Sequence, residues 1–289
     1  MSTADKIQRI LFEEADVRGV VAGLQTSYGA VLERNSYPMM IQKLLGEMLA
    51  AVALLSSTLK FDGRLILQAQ GEGAVRLLMA ECSHHQQVRG IARIEGELPD
   101  AENFAQLFAQ GRLALTIEPV NGQRYQGVVP MEQGSLAACL EDYFSRSEQL
   151  PTRIQLACDG ERAAGMLLQV LPAAGGGHED WNRIGMLADT LTQEELLTLD
   201  NESMLYRLFH EEACRLYEAQ TLAFHCDCSR ERCGRALQLV GRDELLAAVG
   251  EQGGHISVDC QFCNTVYQFD HEDILALTED QRPAGETLH

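Results

Sequence analysis

Cys226-Asp-Cys228, then residues 229–259, then Cys260-Gln-Phe-Cys263: this is the stretch on which the reading of the chain turns. Two tight turns that each carry two thiolates, brought together by a folded insert, are what a tetrahedral metal site requires. Zinc suits four sulfur donors and has no redox chemistry of its own. Cys-x-x-Cys on a hairpin turn is a common zinc knuckle; Cys-x-Cys is less usual and makes the combination more specific. The insert reads as two short helices, about 231–239 and 243–249, and 256–269 reads as a hairpin with Cys260 and Cys263 at its turn. Cys226, Cys228, Cys260 and Cys263 are therefore the expected ligands of one Zn²⁺.

The surroundings of this motif are acidic. Between 225 and 270, Asp227, Glu231, Asp243, Glu244, Glu251, Asp259 and Asp270 outnumber Arg230, Arg232, Arg235 and Arg242. Over the whole chain 42 Asp and Glu face 23 Lys and Arg, a net charge of −19. That balance excludes a general binder of nucleic acid or anionic membrane, since phosphate recognition runs on Lys and Arg. Arg230, Arg232 and Arg235 are placed to balance the thiolates. Cys233 reads as a half-buried helix residue, and His225 and His255 as groups outside the ligand set. Cys82, Cys139, Cys158 and Cys214 sit in apolar or helical runs and read as small core hydrophobes.

Further out, residues 1–175 alternate strand-like and helix-like runs. Strands are expected at 17–24, 64–70, 75–81, 113–117, 125–129, 154–158 and 165–171, and helices at 38–59, 101–110 and 135–148. The run 39–59 is apolar but contains Lys43 and Glu47 and begins after Asn35-Ser-Tyr-Pro38, which favours a core helix over a membrane span. Pro172-Ala-Ala-Gly-Gly-Gly177 breaks the pattern. Residues 178–222 read as acidic helices, with a capping box at Thr192-Gln-Glu-Glu195 and an apolar stripe of Met204, Leu205, Leu208 and Phe209. The expected architecture is α+β: a mixed α/β core domain (1–175) with mainly antiparallel sheet, a helical acidic linker region (178–222) and a small zinc-binding domain (223–289), frayed beyond 279. No signal peptide is read at the N-terminus, so the chain is expected in the reducing cytoplasm, where nine cysteines do not mean a static disulfide framework.

A unit this small depends on its metal. Zinc contributes about 10–16 kcal/mol to folding a small site, against about 5–15 kcal/mol for the net stability of an entire domain. Oxidising two of the four thiolates removes donors that zinc needs, so the module is expected to unfold and the acidic helices to lose a packing partner. A static zinc ribbon is the plainer alternative, and Cys260-x-x-Cys263 alone also allows a thiol–disulfide oxidoreductase. Gly71-Glu-Gly73 and Gly175-Gly-Gly177 lack a nucleotide-loop context, and no catalytic triad can be argued from residue order; no enzyme activity is expected.

The residues also carry a resemblance. The Cys226-Asp-Cys228 … Cys260-Gln-Phe-Cys263 tail resembles the redox-regulated holdase chaperones of the heat-shock protein 33 family. So do Gly134-Ser-Leu-Ala-Ala-Cys-Leu-Glu-Asp-Tyr-Phe-Ser-Arg-Ser-Glu-Gln-Leu-Pro-Thr-Arg153, Leu208-Phe-His-Glu-Glu212 and Phe224-His-Cys-Asp-Cys-Ser-Arg-Glu-Arg232. The resemblance implies a reduced, zinc-bound, inactive monomer. It implies that oxidation forms the disulfides Cys226–Cys228 and Cys260–Cys263, releases zinc, unfolds the module and linker, and gives a homodimer. The dimer would hold unfolding client proteins without ATP and pass them to ATP-dependent chaperones. The stripe at Met204, Leu205, Leu208 and Phe209 is a candidate client-binding surface. Cys233 lies outside the family's ligand motif.

Overall fold

The computed structural model describes residues 5–59, 62–98, 104–171 and 178–278. The chain divides into two compact units, Met1–His225 and Cys226–His289. The break at 172–177 and the stretch from 279 onward lie outside the described residues.

In the first unit the strands are β1 (Lys6–Phe12), β2 (Val17–Leu24), β3 (Gly63–Gln70), β4 (Val75–Ser83), β5 (Gln87–Ile94) and β6 (Arg112–Pro119). They continue as β7 (Tyr125–Val129), β8 (Thr152–Cys158), β9 (Ala163–Val170), β10 (Cys214–Leu216), β11 (Gln220–Thr221) and β12 (Ala223–Phe224). The helices are α1 (Thr26–Leu32), α2 (Met39–Thr58), α3 (Leu136–Arg146), α4 (His178–Ala188), α5 (Gln193–Thr198) and α6 (Asn201–Phe209). One sheet has the order β10-β1-β2-β9-β8, with β11 also on β1, and is antiparallel throughout. The other has the order β12-β5-β4-β3-β6-β7, antiparallel except for the two-residue parallel pair β12–β5. The α+β class with mainly antiparallel sheet is as the sequence implies.

Helix α2 fills the space between the sheets. Leu45, Met48, Leu49, Val52 and Leu55 are buried in one cluster with Ile7, Val20 and Leu167 of the first sheet and Leu67, Leu78 and Val88 of the second. This packing explains an apolar run long enough to span a bilayer by composition alone. Close approach requires glycine at position 46: a Cβ there would lie 2.5 Å from Cys158 Sγ and 3.1 Å from the Tyr28 ring.

The opposite face of the first sheet is covered by α4, α5 and α6. β2 and β9 read as nearly continuous apolar runs because both their faces are buried. Ile184, Leu196, Met204, Leu205, Leu208 and Phe209 pack against Ile10, Phe12, Val21, Met166 and Leu168. The Phe12 and Phe209 rings meet edge to face, centroids 5.0 Å apart. The Thr192/Glu195 capping box is formed.

Several local expectations change. The helix expected at 101–110 is a 3₁₀ turn, Phe104–Phe108, ended by Ala109 and Gln110 at positive φ; residues 101–103 lie outside the described set. Helical structure in 178–222 stops at Phe209, and Cys214–Leu216 and Gln220–Thr221 are strands. The free edge of β1 recruits them: Arg215 pairs with Leu11 and Gln220 with Ile7. β1, β5 and α1 were not read from the sequence.

The second unit contains α7 (Arg230–Leu237), α8 (Arg242–Glu251), β13 (His255–Asp259), β14 (Val266–Asp270) and α9 (His271–Thr278). β13 and β14 form the hairpin read from the sequence; α9 was not foreseen. Its buried core is Leu245, Val249, Ile256, Phe269 and Ile274.

Candidate metal centre

The hairpin turn that carries Cys260 and Cys263 is fixed by its own backbone. The amides of Cys263 and Asn264 donate to the Cys260 carbonyl at 3.2 and 2.7 Å, and the Cys260 amide donates to the Thr265 carbonyl at 2.9 Å. Asn264 takes the left-handed conformation, φ 55°, which its short polar side chain tolerates. The first pair precedes α7, whose N-cap Ser229 accepts from the Arg232 amide. Cys226 Sγ accepts the Cys228 amide.

These two turns bring the four sulfurs within 4.8 Å of one another, with Cys226 and Cys260 3.6 Å apart and Cys228 and Cys263 3.3 Å apart. Tetrahedral zinc with Zn–S bonds of about 2.3 Å needs sulfur separations of about 3.8 Å. The donor set and its spacing therefore fit zinc. A bound Zn²⁺ would hold the four thiols as thiolates and cross-link the two turns.

Burial pushes the Cys226 and Cys228 thiols up. At Cys263 burial acts the same way, but the Thr265 hydroxyl and amide and the Cys228 and Cys260 thiols outweigh it and bring the group down to about 6. Two neighbours not foreseen in the sequence hold sulfurs in place. The Tyr267 hydroxyl lies 3.1 Å from Cys228 Sγ, and Thr265 Oγ1 lies 3.2 Å from Cys263 Sγ. As thiolates, Cys228 would accept from Tyr267 and Cys263 from Thr265, the outer support that metal ligands commonly have. The hairpin pattern holds the signal for Tyr267, since it pairs with Val258 on the strand leading to Cys260.

Cys233, His225 and His255 are outside the four-sulfur group. Cys233 lies on α7 and packs against the unit's core. Cys82 and Cys139 are fully buried, and Cys158 and Cys214 are half-buried beside apolar clusters. The expectation that Arg230, Arg232 and Arg235 balance the sulfurs is replaced by carboxylate pairing. Arg230 meets Asp273 at 2.5 Å, Arg232 meets Asp227 at 2.8 Å and Arg235 meets Glu231 at 3.8 Å. Carboxylates on the same small unit compete for these guanidinium groups. Met204, Leu205, Leu208 and Phe209, the candidate client surface, are buried on the first sheet.

The model of the Hsp33 protein family matches residues 5–270. A 33 kDa chaperonin of Pseudomonas aeruginosa (strain LESB58) is 52% identical over 297 residues, covering 100% of both chains. That of Azotobacter vinelandii is 51% identical over 283 residues, 96% of this chain and 95% of its own. The crystal structure of the Thermotoga maritima 33 kDa chaperonin, a heat shock protein 33 homolog, matches with a TM-score of 0.83 at 24% identity. It covers 96% of this chain and 98% of that one, so the fold is shared. With the family model spanning nearly the whole described chain and full-length relatives at half identity, this protein belongs to the Hsp33 family of chaperones.

Proposed function

We propose that this chain is an ATP-independent holdase of the cytoplasm, switched by oxidation of the cluster Cys226, Cys228, Cys260 and Cys263. The observation that carries the reading is the convergence of these four sulfurs in a unit whose buried hydrophobic cluster, among the described residues, is five side chains. Such a unit gains a large share of its stability from a metal cross-link.

Oxidation pairs Cys226 with Cys228 and Cys260 with Cys263. Each disulfide forms with loss of two electrons from its thiolate pair. Two hydrogen peroxide molecules take up the four electrons and, with protons from solvent, leave as water. No thiolate then remains to hold zinc, and the module opens. Segments β10 to β12, two or three residues each, lead back from Cys226 to α6 and fray next. Met204, Leu205, Leu208 and Phe209 leave the first sheet, and two oxidised chains associate. The apolar stripe binds unfolding clients stoichiometrically and keeps them for ATP-dependent chaperones after reductant returns. A surface exposed only on demand avoids the aggregation risk of a permanent apolar patch. The net charge of −19 keeps the loaded complex in solution.

The test is a peroxide titration of the reduced, zinc-loaded full chain with zinc release, free thiols and suppression of client aggregation read on the same samples. The expected result is that suppression rises as zinc and thiols fall. Suppression at full strength with zinc still bound would overturn the reading.

A further inference from the structure

Away from the cysteines, the first unit contains a cavity of about 510 Å³. It opens beside the C-terminal end of α2, on the face of the first sheet that α2 covers, and the segment between β10 and β11 forms another wall. Its volume is in the range of small-molecule sites, about 300–1,000 Å³. Ile7, Leu11, Val20 and Leu59 give it an apolar floor. Arg9 and Arg18 also line it.

The two arginines converge by register. Arg9 lies opposite Val20 and Arg18 opposite Leu11, so both project from the same face as diagonal neighbours on adjacent strands. Arg18 is held by a cross-strand relay. Its guanidinium donates to Gln169 Oε1 at 2.5 Å, and Gln169, 2% exposed, donates to Thr152 Oγ1 at 2.8 Å. A longer bond, 3.5 Å, reaches the Thr58 carbonyl at the end of α2. Capping that helix accounts for one edge of Arg18. It leaves the Arg18 Nε buried with no partner and gives Arg9 no role. Among the described residues neither arginine has an ion pair, although Glu218 lines the same cavity and the chain has a large excess of carboxylates. Burial and the neighbouring Arg9 both lower the affinity of Arg18 for its proton.

We propose that this cavity is a binding site for a small organic anion, a carboxylate carried on an apolar body. The carboxylate lies between Arg9 and the Arg18 guanidinium, both of which line the cavity, and the hydrocarbon lies on Ile7, Leu11, Val20 and Leu59. Guanidinium groups bind a carboxylate through directed, charge-assisted hydrogen bonds. The apolar floor selects against inorganic anions, which gain nothing from it.

Octanoate is the probe, titrated into the reduced, zinc-loaded full chain by calorimetry and by amide chemical shifts. The expected result is saturable binding at one site, with shifts at Ile7, Leu11, Val20 and Leu59. Octanol and inorganic phosphate should bind at least tenfold more weakly. Arg9→Gln should weaken octanoate at least tenfold with little change in thermal midpoint, because Arg9 is exposed and, among the described residues, has no ion pair. Arg18→Lys, which keeps the charge but loses the planar guanidinium fork, should weaken it severalfold. Equal binding of octanol, unchanged octanoate binding in Arg9→Gln, or shifts elsewhere would each overturn the proposal. So would the absence of saturable binding in the parent protein.

Discussion

Replacing Phe209 with alanine should loosen α6 while leaving the metal site intact. Phe209 is 2% exposed and meets Phe12 edge to face. Truncating a buried phenylalanine costs about 3–5 kcal/mol, which includes the cavity left behind. Because each 1.4 kcal/mol is a factor of ten, the open population of α6 should rise by about two to nearly four decades. Met204, Leu205 and Leu208 share the same face of α6 and would open with it. The assay is amide exchange across 201–209 in the reduced protein, with zinc content and client aggregation measured in parallel. Exchange should accelerate by at least a hundredfold, zinc should remain bound, and the reduced variant should suppress aggregation partly without oxidant. Exchange accelerated less than tenfold would refute the packing reasoning. Fast exchange with no reduced-state suppression would remove the stripe as the client surface.

Tyr267→Phe removes a donor from Cys228 and should weaken zinc retention about tenfold in a competition with a chromophoric chelator; an unchanged affinity would show that the hydroxyl does not support the site. Stripping zinc under reducing conditions should abolish amide protection in 230–278 and leave that of β2, β3 and β9 unchanged, because the two units bury separate cores; a C-terminal unit still protected without metal would end the switch model. Glu47 on α2 is raised by burial, only partly offset by Lys43, from 4.5 to about 7. The folded state keeps a proton there that the unfolded chain releases, so stability falls as pH rises from 4.5 to 7 and stays lowered above. Glu47→Gln should therefore gain up to about 3 kcal/mol over the parent at pH 8 and almost nothing at pH 4 in urea unfolding; equal differences at both pH values would refute the assignment. Gly46→Ala should cost about 1–3 kcal/mol by overpacking against Cys158 and Tyr28, and adding Cys158→Ala should recover part of it; no recovery would place the strain elsewhere.

The four-sulfur cluster was legible because its information is local: two spacings and an insert suffice to place four sulfurs together. The sheet strands 17–24, 64–70 and 113–117 were legible as apolar runs, and α2 as a long apolar helix. β1 was not, because Lys6-Ile-Gln-Arg-Ile-Leu-Phe12 mixes charge with apolar residues, and its arginine faces the cavity lined by Arg18. β10 to β12 are too short to show periodicity, and only edges supplied from distant sequence make them strands. Tyr267 and Thr265 were missed because spacing identifies ligands and not the hydroxyls that support them. The arginine partners were misjudged because formal charge near a motif does not say which carboxylate is nearer in space.

The pairing of β1 with residues 214–221 has a consequence for synthesis. β1 leaves the ribosome well before its outer partners, so that edge stays open until about two hundred further residues have been translated, and β2 likewise waits for β9. Sheets closed by such distant partners form slowly and leave bare edges in the interval. The hairpin β13–β14 and its neighbouring helices need only local chain. The nascent first unit thus carries bare sheet edges for longer than the C-terminal hairpin does.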